Sequence, residues 1–113
     1  WTVAYLTPGG KAVQVGQRRV NTFWKPVLVY AKGEPEERWF GDMTRSDMAD
    51  DESGVADLVE RFTKPGDLVA DPMCGQGSTG VVAVRLGRRF LGVEADADRA
   101  SVAAHRLATV PVT

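Results

Sequence analysis

LVADPMCGQGSTGVVAVRLGRRFLGVE, Leu68 to Glu94, is the stretch that decides the fold. Leu68–Ala70 is a short apolar run and reads as a buried strand. A loop, Asp71–Ser78, follows, and glycines at 75, 77 and 80 satisfy G-x-G-x-x-G across it and the start of the next helix. Thr79–Leu86 has the apolar content of a packed helix, with Val81, Val82, Val84 and Leu86 as core, and Gly87 stops it. Arg89–Glu94 is a second strand, and Glu94 stands 19 residues beyond Gly75. A strand, a glycine loop, a helix and a strand ending in an acid fit the opening unit of a dinucleotide-binding fold.

The flanks extend the alternation. Val55, Leu58, Val59 and Phe62 fall at i, i+3, i+4 and i+7 and predict a helix over Gly54–Phe62. Ser53 is placed to cap it, with Asp51 and Glu52 adding favourable charge at its start. Lys64–Asp67 is a turn. Asp98–Leu107 reads as a last helix, with Asp98 as N-cap and Val102, Ala103 and Leu107 toward the sheet. His105 lies on its solvent side. Toward the front, Thr2–Leu6 and Val27–Ala31 read as strands, the second opened by Pro26. Gly10–Phe23 has no clean period and reads as a loop, and acidic Glu34–Ser53 as an irregular connection. The order is strand, strand, helix, strand, helix, strand, helix, which implies a parallel sheet with right-handed crossovers in the second half.

Bulk composition fits a small globular domain: 113 residues, 43% hydrophobic and 26% charged. No apolar run of about 18 residues offers a membrane span, and no secretory signal pattern is seen. Cys74 is the single cysteine, so no internal disulfide forms, and one cysteine with one histidine builds no zinc site. A reducing cytoplasm is the expected setting. Charge is segregated. Residues 1–33 carry Lys11, Arg18, Arg19, Lys25 and Lys32 and no acid, whereas acids crowd residues 34–60. Lys11, Arg18, Arg19 and Lys25, interleaved with Phe23 and Trp24, suit a nucleic-acid backbone and its bases; a solvated basic face is the plainer alternative.

Two ligands compete for the glycine loop. A dinucleotide and S-adenosylmethionine both carry a ribose whose hydroxyls Glu94 would accept. Asp71 separates them, because a pyrophosphate beside it would meet a like charge. Adenosylmethionine has no phosphate, and its ammonium and sulfonium suit a neighbouring carboxylate.

Phe62–Gly80 with Leu86-Gly-Arg-Arg-Phe-Leu-Gly-Val-Glu94 resembles the amino-methylating DNA methyltransferases. These move a methyl group to N6 of adenine or N4 of cytosine. The resemblance is to the class whose target-amine motif precedes the cofactor motif. It is close over residues 54–107 and looser over 1–33. It rests on D-P-x-x-G-x-G-[ST]-T joined to L-G-R-R-F-x-G-x-E, a far more specific signal than the glycines alone. It implies that Asp71, Met73, Cys74, Gly75 and Gly77 hold the methionine part, that Ser78 and Thr79 add hydrogen bonds, and that Glu94 takes the ribose. Asp96 is placed near the adenine edge, or is simply an acid before the last helix. Glu52 and Ser53 align with a further cofactor-side segment, although Asp47, Asp50 and Asp51 replace the family's usual residues there. Met73 stands where phenylalanine is usual and fills similar apolar space. Cys74 has a backbone role and is no nucleophile. The match over Arg19–Tyr30 packs Phe23 and Trp24 near a strand.

The family presents its target amine to a [DNS]-P-P-[YFW] motif, which this sequence lacks: it has no Pro-Pro pair. In the class resembled, that motif lies upstream, after a strand beside Leu68–Ala70. The first residue is Trp1, not Met. The expectation is therefore a C-terminal part of a longer enzyme, or one half of an associated pair, inactive alone. The expected fold is α/β, a partial Rossmann-like methyltransferase domain over 1–113 with a mostly parallel sheet and flanking helices. Residues 1–33 are its basic strand-loop-strand part and 54–113 its cofactor-binding part. The cofactor is S-adenosylmethionine and the partner double-stranded DNA. The alternatives are a non-catalytic remnant that binds cofactor or DNA, and an NAD-binding oxidoreductase fragment.

Overall fold

The computed structural model describes residues 2–6, 13–15, 20–22, 24–34, 43–45 and 52–111. Lys11, Arg18, Arg19, Phe23, Asp47, Asp50 and Asp51 lie outside them. The chain divides into two units, Trp1–Gly54 and Val55–Thr113.

Among the described residues the first unit has five strands: β1 Thr2–Leu6, β2 Val13–Val15, β3 Val20–Thr22, β4 Trp24–Leu28 and β5 Met43–Arg45. β1 is central in a sheet of order β4-β1-β5, antiparallel to β4 and parallel to β5. β2 and β3 pair antiparallel, Val13 opposite Thr22 and Val15 opposite Val20. Three expectations are corrected here. The loop expected over Gly10–Phe23 holds β2 and β3, because Val-Gln-Val and Val-Asn-Thr each alternate but are too short to show a period. The irregular connection holds β5, whose partner β1 is distant in sequence. The second strand runs over Trp24–Leu28 rather than Val27–Ala31, because its register with β1 sets Leu6 against Trp24 and Thr2 against Leu28. Pro26 thus sits in mid-strand opposite Ala4. Among the described residues β4 pairs with β1 alone, and an edge strand is where a proline is tolerated.

The second unit follows the predicted alternation. α1 Ser53–Phe62 begins at the unit boundary, with Ser53 as its first helical residue. Its stripe buries Val59, leaves Val55 and Leu58 half-buried, and exposes Phe62. β6 Leu68–Asp71 and β7 Arg89–Gly92 pair parallel, Val69 opposite Phe90 and Asp71 opposite Gly92. α2 Ser78–Arg85 connects them. It ends in a Schellman motif: Gly87 has φ 77°, its N–H reaches Val84 O at 3.0 Å, and Arg88 N reaches Ala83 O at 2.8 Å. α3 Ala97–Ala108 packs on α2. Val81, Val82 and Ala83 of α2 and Ala103 of α3 are buried. Full burial of one valine is worth about 1.5–3 kcal/mol, so Val82, 1% exposed, anchors this small core. Val84, Leu86 and Leu107 are half-buried, whereas Val102, expected toward the sheet, is exposed on α3.

The N-cap of α3 is also corrected. Asp96, not Asp98, caps the helix, with extended φ −81° and ψ 119° and its Oδ1 accepting from Arg99 N at 2.9 Å. Asp98 lies in the first turn, where its charge still favours the helix N-terminus. Among the described residues no helix is long and apolar enough to cross a membrane.

Candidate functional site

The site lies at the carboxyl ends of β6 and β7, where parallel α/β sheets bind ligands. Asp71 closes β6, and its Oδ1 accepts from Met73 N at 3.1 Å, bending the chain into the loop. The ladder with β7 continues past the strand ends: Val93 N donates to Asp71 O at 3.0 Å and Cys74 N to Val93 O at 2.9 Å. Cys74 thus serves through its backbone, which also accepts Gly77 N at 2.8 Å. Gly92 makes this approach possible, since a Cβ there would stand 2.8 Å from Cys74 Sγ.

The three motif glycines have different reasons to be glycine. Gly75 has φ 54° and open space where a Cβ would point, so the backbone is bare on that side. Gly77 has φ 83°, and a Cβ there would meet Ala103 Cβ at 3.0 Å, so the loop is backed closely by α3. Gly80 is helical, but a Cβ would meet Phe90 Cε1 at 2.5 Å and force α2 off the sheet.

Glu94 ties the two loops together. Its Oε2 accepts from Gly75 N at 2.8 Å and its Oε1 from Asp96 N at 2.9 Å. These are charge-assisted bonds, and each carboxylate oxygen keeps a second lone pair for a ligand hydroxyl. Gly77 is the N-cap of α2 and no side chain caps that helix. Ser78 is exposed at its first position, with Thr79 half-buried behind. Met73 is 83% exposed at the loop's tip.

The structure thus brings Asp71, Met73, Cys74, Gly75, Gly77, Ser78, Thr79, Glu94 and Asp96 onto one loop cluster. Glu52 and Ser53 belong to the other unit, at the start of α1. Lys25 is in β4, and Lys11, Arg18 and Arg19 are outside the described residues. Sequence reasoning passed over Arg106. From the last turn of α3 its Nη1 donates to Gln76 O at 2.9 Å and to Ser78 Oγ at 3.3 Å. The one signal for it is its place three residues after Ala103, hence on the same helical face. Among the described residues no cluster of His, Cys, Asp and Glu suits a metal ion.

A family model described as DNA methylase matches residues 52–105. The type II methyltransferase M2.DpnII of Streptococcus pneumoniae is 53% identical over 44% of this chain, a match that spans 20% of that protein. Among solved structures, the M1.HpyAVI–SAM complex superposes with a TM-score of 0.64 at 22% identity, over 94% of this chain and 60% of that one. The cytosine-N4-specific PvuII DNA methyltransferase gives 0.63 at 16% identity, over 99% and 52%. At these identities the superpositions speak for the α/β fold. The chain spans about a fifth of the length of the curated relatives it matches.

Proposed function

We propose, from the match of residues 52–105 to the DNA methylase family model, that this chain is the cofactor-binding portion of an S-adenosylmethionine-dependent DNA amino-methyltransferase. The intact protein would act on adenine N6 or cytosine N4 of double-stranded DNA. The observation that carries the reading is the Glu94 carboxylate bonded to Gly75 N and Asp96 N beside the open face of Gly75. Residues at this site fit the cofactor's chemistry. Glu94 has lone pairs for two ribose hydroxyls. Asp71 places negative charge where the ligand is cationic and where a pyrophosphate would be repelled. Met73 offers apolar surface, and Ser78 and Thr79 offer hydroxyls at the uncapped start of α2. Asp96 holds the loop that follows Glu94, and Glu52 and Ser53 are assigned to the cofactor by resemblance. The cofactor, when bound, supplies an electrophilic methyl group on a sulfonium. This chain contributes binding and orientation, which suit a direct transfer governed by proximity.

The amine-target motif is assigned to polypeptide beyond residues 1–113, in the same protein or a second chain. Two features of the second unit favour such a complement. Among the described residues β6 pairs with β7 alone, which leaves its other edge open. Leu68, Leu91 and Val93 are 52%, 56% and 58% exposed, although parallel sheets are normally covered on both faces. Lys11, Arg18, Arg19 and Lys25 are assigned to the DNA backbone; Arg18 and Arg19 fall between β2 and β3 in the sequence.

The test is methyl transfer from labelled adenosylmethionine to duplex DNA, with products identified by nucleoside mass spectrometry. The complete protein containing this chain should yield N6-methyladenine or N4-methylcytosine, and residues 1–113 alone neither. A complete protein that yields 5-methylcytosine, or no methylated base, contradicts the proposal.

A further inference from the structure

We infer that Arg106 is a positioning residue for the cofactor loop, acting through the Gln76 carbonyl and the Ser78 hydroxyl; this rests on the cofactor reading above. Gln76 lies between two glycines in left-handed conformation, Gly75 and Gly77. Such a reversal gains no order from propensity, because glycine is the most permissive residue. The helix that follows has an N-cap without a side chain. Both the turn and the start of α2 therefore need an external hold, and α3 supplies it twice on one face. Ala103 is small enough for Gly77 to approach it closely, and Arg106, one turn on, reaches over the loop. One guanidinium nitrogen spans Gly77, bonding the carbonyl before it at 2.9 Å and the hydroxyl after it at 3.3 Å.

The second bond has a chemical consequence. Arginine only donates, so Ser78 Oγ is an acceptor toward Arg106. The hydroxyl proton is then directed elsewhere, and Ser78 presents a donor to a ligand. Together with the uncapped start of α2, that favours an anionic group, such as the carboxylate of the methionine moiety. The Arg106 charge itself is stabilised in the last turn of α3, at the negative end of that helix.

The experiment uses the full chain with Arg106→Ala, Arg106→Lys, Ser78→Ala and the double variant Arg106→Ala/Ser78→Ala. Arg61→Ala is the control, because it removes the Asp57 pair within α1. Adenosylmethionine affinity is measured by calorimetry, stability by urea denaturation, and hydrogen exchange at the Gly77 amide without cofactor. Arg106→Ala should weaken binding about tenfold or more, the scale of a lost charge-assisted hydrogen bond. It should also speed exchange at Gly77. Arg106→Lys should recover part of the affinity, and the loss on removing Arg106 should be smaller when Ser78 is already alanine. Arg61→Ala should lower stability with affinity unchanged. An Arg106→Ala chain that binds as the parent does overturns this inference and leaves the cofactor reading standing. If Arg106→Ala does not fold, Arg106→Lys decides: parental affinity and Gly77 exchange overturn the inference. A parent chain that folds and binds no adenosylmethionine overturns both.

Discussion

Glu94 accepts from Gly75 N and Asp96 N with separate oxygens, so it is a part of the loop's architecture as well as the proposed ribose ligand. A Glu94→Gln substitution keeps the shape but turns one acceptor into a donor facing an amide N–H. It should cost about 1–3 kcal/mol, the penalty for an unsatisfied polar pair, read as a lower urea midpoint at unchanged slope. An unchanged midpoint would show that the carboxylate does not organise the loop. The glycines divide in the same way. Gly80→Ala drives a methyl into Phe90 and should lose about 1–3 kcal/mol of stability. Gly75→Ala meets open space, so its damage is the left-handed backbone, about 1–2 kcal/mol, together with weaker cofactor binding. Equal effects of the two on cofactor affinity would argue against Gly75 as the ligand-facing glycine. The motif reveals that these positions are glycine; only the packed structure reveals three separate reasons for it.

Elements with strong local signals were legible in the sequence. α1, α2 and α3 have apolar faces or a glycine stop, and each lies within one residue of its expected bounds. β2, β3 and β5 have three residues each, too short to show a period; β2 and β3 are strands by pairing with each other, and β5 by pairing with the sequence-distant β1. The cap of α3 was misplaced because Asp96 and Asp98 are equally good capping residues, and only backbone conformation separates them. Capping gives a direct check. Asp96→Ala should cost about 1 kcal/mol, while Asp96→Asn, an equally good cap, should be near neutral in stability. If Asp96→Asn keeps stability but loses cofactor affinity, the side chain touches the ligand as well as the helix.

At the scale of the whole molecule, the loop cluster proposed for the cofactor was legible because its residues are close in sequence as well as in space. The amine-binding half was legible only as an absence, the missing Pro-Pro motif. The basic front third belongs to the same scale. Neutralising Arg18 and Arg19 together in the complete protein should weaken DNA binding on all sequences alike. It should also flatten the salt dependence by about one unit for each phosphate that an arginine no longer neutralises. Unchanged salt dependence would return those arginines to a solvated face. The central claim is a preformed adenosylmethionine site on the loop that Glu94 holds. The most direct test is calorimetric titration of adenosylmethionine into the 113-residue chain, with NAD in parallel and Glu94→Ala as control. Binding of adenosylmethionine alone, lost in Glu94→Ala, is the predicted result; binding of NAD instead, or of neither by a chain that melts cooperatively, would contradict it.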